Sequence, residues 1–223
     1  MSPSPLTSTV LFHLGPVAIT RPVATTWAIM LFLATGCRLV TRRLRQRPDG
    51  RQAVIEIVVT GMARQIAEVI RKDPRPFLPV LGTLFLFLAV ANLSGVLPGV
   101  EAPTARLETP AALALIVFFS VHFFGIRARG LRAYVARFAE PRLIMLPLNI
   151  LSEVTRTFSL MVRLFGNVMS GEFVIALVLA LAGLFVPIPL MVLEILVGLV
   201  QAYIFTVLAS VFIGAAVGGG EKG

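Results

Sequence analysis

Long apolar stretches alternate with short polar connections along this chain. The apolar stretches predict five membrane-crossing helices, at about residues 23–40, 78–97, 109–126, 148–186 and 190–217. A crossing needs about 20 mainly apolar residues, because the hydrocarbon core of a bilayer is about 30 Å thick. The fourth stretch would form about 58 Å of helix, so it must be steeply tilted, bent or partly interfacial. We therefore predict a single all-α membrane domain over residues 1–223, in which the last two helices form a long, strongly tilted hairpin.

A different periodicity runs through residues 52–71. Apolar residues there recur on one helical face, and most of the charged and amide side chains lie on the other. This pattern is typical of an amphipathic helix that lies on a membrane surface. Pro74, Pro76 and Pro79 follow and prevent the helix from continuing. We therefore predict one cytoplasmic surface helix between the first and second crossings.

The distribution of charge gives the orientation of the chain. The sequence has a net charge of +9, and its mean hydropathy of +0.91 is typical of a polytopic membrane protein. Arginines cluster after the first and third crossings, and such clusters mark the cytoplasmic side, so the N-terminus should lie outside and the C-terminus in the cytoplasm. Their position beside apolar segments argues against nucleic-acid binding.

The N-terminal residues lack the basic start of a signal peptide and predict a short retained tail. The single cysteine, Cys37, excludes an intrachain disulfide and a Cys-based metal site.

The stretch Asn149–Glu172 carries charges inside an apolar segment. A charge at the centre of a bilayer costs about 2.5 to 3.5 kcal/mol on insertion scales, so these residues predict a functional site. At about 100° per residue, Glu172 projects to the face opposite Arg163. Packing of small residues between helices would explain part of the pattern but not the arginines. The side chains within about 60° of Arg163 form what we call the polar stripe, and they are Asn149, Ser152, Arg156, Ser159, Gly166, Asn167 and Ser170.

The last crossing carries a second set of polar residues. Glu194 and Gln201 share one face of the predicted helix, and antiparallel pairing would direct this face towards the fourth crossing. For Gln201 alone, a hydrogen bond that bridges two helices is an equally good interpretation. Two glutamates within a membrane must be protonated, paired or hydrated, and a hydrated path lined by Glu172 and Glu194 is the simplest interpretation.

Residues 159–172, SLMVRLFGNVMSGE, resemble the signature of subunit a of the F-type ATP synthase, SLxxRLFGNxxxGE. The similarity continues in the same order over most of the chain. It implies a membrane subunit of the stator that works against a rotating ring of c subunits, with the last two helices against that ring. The further similar segments are PFLPVLGTLFLF at 76–87, NLSGVLPG at 92–99 with Pro103, Thr104 and Thr109 after it, HFFGIRARG at 122–130 and GLVQAYIFTVL at 198–208.

The resemblance implies a role for each matching polar residue. Arg163 would be the essential arginine that faces the ring carboxylate, and Gln201 would be the glutamine that accompanies it. Asn167 and Glu172 match polar positions on the same helix, and Glu194 matches a position that lines the outer half-channel. We assign these five residues to ion translocation. The residues assigned to an inner half-channel are Asn149, Ser152, Glu153, Arg156 and Ser159.

The same resemblance implies the partners and the location of the chain. The partners would be the c-subunit ring, b-type peripheral stalk subunits and the lipid bilayer of a bacterial inner membrane. We expect no cofactor, no metal and no bound nucleotide, because nothing resembles a glycine-rich phosphate loop and ATP chemistry would belong to other subunits. The expected transported ion is H⁺, and Na⁺, which some members of the family use, is the alternative.

The chain departs from the family pattern near one end of the long helix. Asn149 stands where many members have glutamate, Thr157 where many have proline, and Glu153 has no counterpart. Two other classes of function are open. A stand-alone channel or secondary transporter would conduct ions when reconstituted alone, although no internal repeat supports a transporter. A structural membrane scaffold would tolerate Arg163→Leu.

Overall fold

The computed structural model describes residues 10–14, 17–41, 50–95, 102–139, 146–183 and 185–218. Within these ranges the chain is almost entirely helical. Several predicted features lie outside the described residues. They are the first nine residues of the N-terminal tail, the arginines at 42–47, the outer loop at 96–101 and the C-terminal tail at 219–223. The α-helices are α1 (Arg21–Thr41), α2 (Gly50–Ile70), α3 (Leu78–Ser94), α4 (Glu108–Arg129), α5 (Leu131–Ala139), α6 (Leu146–Ala182) and α7 (Pro187–Gly218).

Four of these helices are long and apolar enough to cross a membrane: α1, α4, α6 and α7. Helix α3 is also apolar but has only 17 residues, which is about 26 Å of helix. Helix α6 has 37 residues and is therefore about 55 Å long. Many large apolar side chains on these helices are exposed, among them Leu181 at 79%. Such surfaces are typical of proteins that contact lipid, so the chain is an integral membrane protein with a helical fold.

Two short elements differ from the sequence prediction. Strands β1 (Val10–Leu14) and β2 (Val17–Thr20) pair antiparallel, with Leu14 opposite Val17, where we expected only a tail. Gly15 and Pro16, which separate the strands in the sequence, are residues that favour turns. Helix α5 falls in the polar connection that was predicted to follow the third crossing. Gly130 separates α5 from α4 with a φ of 82°, a left-handed conformation that suits glycine.

Helix α7 lies at the centre of the fold and packs against α2, α3, α4 and α6. Its buried face consists mainly of small and apolar residues and includes the polar Gln201 and Thr206, and the core continues into the buried sides of α3 and α4. Phe205 and Ile213 are fully buried there, as are Leu81 of α3 and Leu164 of α6. Because α7 contacts so many neighbours, its polar residues are held in fixed positions relative to α3 and α6.

Helix α2 follows α7 along part of its length. Ile66 and Ile70 are buried in the core, and Ile70 packs against Gly214 of α7. Lys72 donates a hydrogen bond of 3.3 Å from Nζ to the carbonyl oxygen of Val217 at the end of α7, where a positive charge is favourable. Ile57, in the first half of the apolar face, is 71% exposed. Among the described side chains of that face, the fully buried ones therefore lie in its second half.

Candidate polar site along the hairpin of α6 and α7

Helices α6 and α7 run antiparallel, and their polar side chains meet at several levels. Gly171 of α6 contacts Glu194 of α7, and Asn167 contacts Gln201 further along. Arg156 lies over the ring of Phe212, with 5.7 Å from Cζ to the ring centroid. Residue numbers rise along α6 as they fall along α7. The polar site therefore extends over about 22 Å of α6, from position 156 to position 171.

Arg163 lies near the middle of this site and is exposed. No hydrogen bond or ion pair connects it to any other residue that the structure describes. Leu160 and Leu164, on the other side of the helix, are buried at 2% and 0% exposure. The sequence around Arg163 thus directs leucines into the core and the guanidinium outwards, where it is available to a partner.

An open cavity of about 430 Å³ begins at Arg163 and extends towards the first residues of α6. It brings together Ser152, Arg156, Ser159 and Arg163, four of the residues that the sequence placed on the polar stripe. The remaining lining is mostly apolar and includes a hydroxyl that we did not predict, that of Thr155. The other lining residues are Leu148, Leu151, Leu160, Leu208 and Phe212.

Two residues assigned to the inner half-channel, Asn149 and Glu153, are not among those that line the cavity. Glu153 instead approaches Arg156, with 3.9 Å between Oε2 and Nη1. The pair is one turn apart on α6 and lies at the surface, so its contribution to stability is small. Its geometric effect is to hold Arg156 between a carboxylate and the Phe212 ring. Asn149 is half-buried at the start of the helix.

Asn167 and Gln201 form a direct bridge between α6 and α7. The Nδ2 of Asn167 donates to the Oε1 of Gln201 at 2.9 Å. Gln201 is only 2% exposed, and its Nε2 has no hydrogen-bond partner among the described residues. Gln201 thus pairs with Asn167, one turn beyond the arginine, rather than with Arg163. The helix-bridging interpretation therefore describes its contacts.

Glu172 and Glu194 lie around the same short segment of α6. Glu194 reaches across from α7 into the space that a side chain at Gly171 would fill. The Oε1 of Glu172 lies 3.7 Å from the position that a Cβ on Gly95 would take, so this side chain faces the end of α3. The same end of α3 contacts Ala102, which precedes a short 3-10 helix at Pro103–Ala105.

The described structure thus brings the predicted residues together in two groups on either side of Arg163. Ser152, Arg156 and Ser159 share the cavity, and Glu172 and Glu194 lie at the other end, with Asn167 and Gln201 between them. In the described part of the chain, no group of three or more His, Cys, Asp or Glu side chains could hold a metal ion.

Sequence reasoning missed two buried residues beside the glutamates, Asn92 and Thr104. Both lie in segments that resemble the ATP synthase family, but their residue types alone did not indicate a role. The Oγ1 of Thr104 donates to the Oδ1 of Asn92 at 2.9 Å, and the Nδ2 of Asn92 donates to the carbonyl oxygen of Gly198 at 2.8 Å. A signal was present in the sequence, because Asn92 is an amide side chain within an otherwise mainly apolar crossing and Thr104 follows in the short connection after it.

Comparison with known proteins gives one consistent family. Residues 23–214 match the family described as ATP synthase A chain. The chain is 78% identical over its full length to ATP synthase subunit a 2 of a Bradyrhizobium strain, and covers all of that protein. It is 48% identical to ATP synthase subunit a 2 of Pelobacter propionicus, over 95% of this chain and 92% of that protein. It is 49% identical to ATP synthase subunit a 1 of Chlorobaculum parvum, over 96% of this chain and 95% of that protein.

Proposed function

Since the chain belongs to the ATP synthase A chain family, we propose that it carries H⁺ to and from a ring of c subunits through two offset half-channels. Subunit a is a membrane component of this enzyme complex, in its F0 sector, and is not the catalytic subunit. The chain is thus an integral membrane protein of a complex for ATP synthesis and ion transport.

The observation that carries the proposal is the exposed Arg163 within a long apolar helix. A guanidinium in such a position needs an anionic partner or water, and the rest of the described chain offers it neither a hydrogen bond nor an ion pair. A carboxylate on the ring, facing the polar stripe, supplies that partner. Arginine stays protonated at any relevant pH and favours the ionised form of a nearby carboxylate.

Each half-channel corresponds to one of the two groups of polar residues. The cavity lined by Ser152, Arg156 and Ser159 is the inner half-channel, with Asn149 at its entrance and Glu153 acting through Arg156. Glu172 and Glu194 line the outer half-channel. Asn167 and Gln201 lie between the two groups and connect α6 to α7, which keeps the two paths apart.

Arg163 then controls the route of the ion. Its positive charge blocks direct passage between the half-channels, because a cation that approached it would be repelled. The ion therefore leaves the outer path on a ring carboxylate and travels round with the ring before it reaches the inner path. The membrane potential drives this transfer with about 2.3 kcal/mol per charge for each 100 mV.

The membrane arrangement that fits this path has five crossings. Helix α3 would be the fifth, because its 17 residues are at the lower limit for a crossing. The hairpin of α6 and α7 lies strongly tilted against the c-ring, α2 lies on the cytoplasmic surface, and the whole chain forms one membrane domain. The N-terminus is outside and the C-terminus is in the cytoplasm, as the arginine clusters indicate.

The partners and location follow from the same proposal. The c-ring contacts the polar stripe, b-type peripheral stalk subunits hold the chain still, and lipid covers the exposed apolar helices. The complex lies in a bacterial inner membrane. Nucleotide is bound by other subunits and not by this chain.

Reconstitution tests the division of the path between this chain and the ring. We expect the isolated chain in liposomes to leave an imposed K⁺ diffusion potential and pH gradient intact, because half of the ion path lies on the ring. The complete complex with ATP should acidify the same vesicles, in buffer from which Na⁺ has been removed. Ion flux through the isolated chain would contradict the proposal. If ATP-driven flux through the complete complex requires Na⁺, the transported ion is Na⁺ and not H⁺.

A further inference from the structure

A small buried network joins three elements beside the two glutamates. Thr104 is 0% exposed and Asn92 is 6% exposed. Their side chains are bonded to each other, and Asn92 is bonded to the backbone of α7 at Gly198. The network therefore connects the 3-10 helix Pro103–Ala105, the end of α3 and the middle of α7. Gly198 itself lies against the Cβ of Asn92, where an added Cβ would approach to 3.0 Å.

This network lies next to the outer group of polar residues. Gly198 is four residues, or about one turn, from Glu194 on α7. Ala102, two residues before Thr104, is 1% exposed and packs against Gly95. A Cβ added to Gly95 would lie only 2.7 Å from the Cβ of Ala102. The same position on Gly95 is 3.7 Å from the Oε1 of Glu172. The segment that Thr104 holds in place therefore forms a wall beside Glu172.

Neither Asn92 nor Thr104 is accessible to an ion. Both are buried, the Thr104 hydroxyl is used by Asn92, and the Asn92 amide is used on both sides. Side chains that line a hydrated path keep polar atoms exposed to it, and these do not. Their bonds fix the position of a backbone segment, which is a separate function from conduction.

We propose that Asn92 and Thr104 are positioning residues that hold the 3-10 helix against α3 and α7 as the wall of the outer half-channel. This inference rests on the proposed function of Glu172 and Glu194, and it assigns the 3-10 helix a part in that path. Loss of the Thr104 hydroxyl leaves the Oδ1 of Asn92 without its bond inside the protein, an unfavourable state that the segment relieves by moving. The wall then opens beside Glu172.

The test uses the complete complex and two measurements. The first is thiol protection: with Cys37→Ser and Ala102→Cys in the background, a membrane-impermeant maleimide reports whether position 102 stays covered. The second is the rate of ATP-driven ion uptake into vesicles, measured without the Ala102 change. The variants are Thr104→Val, which removes the hydroxyl at nearly constant volume, and Thr104→Ser, which keeps it. Thr83→Val is the matched control, because the Thr83 hydroxyl bonds only to carbonyls of its own helix.

We expect Thr104→Val to raise the labelling rate of Cys at position 102 at least tenfold and to lower ion uptake at least fivefold. Thr104→Ser and Thr83→Val should stay within twofold of the parent in both measurements. Slower uptake with position 102 still protected would overturn the inference, because Thr104 would then act on transport directly. Faster labelling with normal uptake would also overturn it, while leaving the proposed function intact.

Assembly is measured first, by co-purification of the chain with the c-ring. If Thr104→Val does not assemble, Thr104→Ala replaces it, since alanine lacks the hydroxyl without filling the site. Failure of both variants to assemble would assign Thr104 to folding and would contradict a role in the assembled path. Thiol labelling does not depend on transport, so an error in the proposed ion path would not be mistaken for a failure of the positioning network.

Discussion

Replacing Arg163 by alanine is expected to abolish ATP-driven ion transport and ATP synthesis in the complete complex. An ion pair at about 4 Å contributes about 4 kcal/mol at an effective dielectric constant of about 20. Since about 1.4 kcal/mol corresponds to a factor of ten, coupled transport should fall at least 100-fold. The variant should also leak ions passively, because the charge that separates the two half-channels is gone. Both effects are measured in vesicles, by ATP-driven acidification and by decay of an imposed gradient.

Arg156→Ala is the matched control for this experiment. Arg156 is exposed on the same stripe two turns away and lines the same cavity, but it is paired with Glu153. Its loss should slow transport much less than the loss of Arg163. Arg163→Lys keeps a positive charge at this position. A lysine ammonium can release its proton whereas an arginine guanidinium does not, so we expect only partial function. Normal coupled activity of Arg163→Ala or Arg163→Leu would refute the assignment and favour a scaffold.

Replacing both Glu172 and Glu194 by glutamine should have the second largest effect. Glutamine keeps the size of glutamate, but one acceptor oxygen becomes an NH₂ donor and the side chain cannot bind and release a proton. A charge-assisted hydrogen bond contributes about 1.5 to 3 kcal/mol, which corresponds to a loss of about 10-fold to 100-fold in transport. Each single change should slow transport or shift its pH dependence. The rate of ATP-driven uptake at several external pH values measures both.

Glu68→Gln is the control for the double variant. Glu68 is exposed on α2 and belongs to neither group of polar residues beside Arg163, so its replacement should leave the rate within twofold. An unchanged rate in the Glu172→Gln and Glu194→Gln double variant would argue against an outer half-channel lined by these residues. The arginine at the centre of the site would then need a different route for the ion.

The faces of α6 on which Arg163 and Glu172 lie could be predicted from local periodicity. A helical projection places residues by angle, and α6 continues as one helix from Leu146 to Ala182. The projection put Glu172 on the face opposite Arg163, and the structure places Glu172 against α3 with Arg163 exposed. Hydropathy likewise predicts long apolar helices, because their lengths depend on the thickness of the bilayer.

The partner of Gln201 could not be predicted in this way. Its angle on α7 is given by the sequence, but its level relative to α6 depends on how the two helices pack. A shift of one turn, about 5.4 Å, decides between Arg163 and Asn167. The network of Asn92 and Thr104 was missed for a similar reason, because it joins residues of three elements across a loop.

The two short elements were missed because their local signals are weak. Helix α5 has nine residues, and its arginines made the segment resemble a charged connection. Isolated helices of this length are marginal in water, so α5 depends on tertiary contacts. Tyr134 provides one by packing against Gly125 of α4. The strands β1 and β2 have five and four residues and lack a strict alternation of apolar and polar positions.

Cross-linking between this chain and the ring tests the central claim most directly. In the assembled complex with Cys37→Ser, a cysteine is placed at Ser159, at Ser170 or at Met161 and paired with cysteines along the c-subunit helix that carries the ring carboxylate. Ser159 and Ser170 flank Arg163 on the polar stripe, whereas Met161 projects about 160° away from it. We predict disulfides from positions 159 and 170 and none from position 161. Disulfides from position 161, with none from the stripe, would contradict the account.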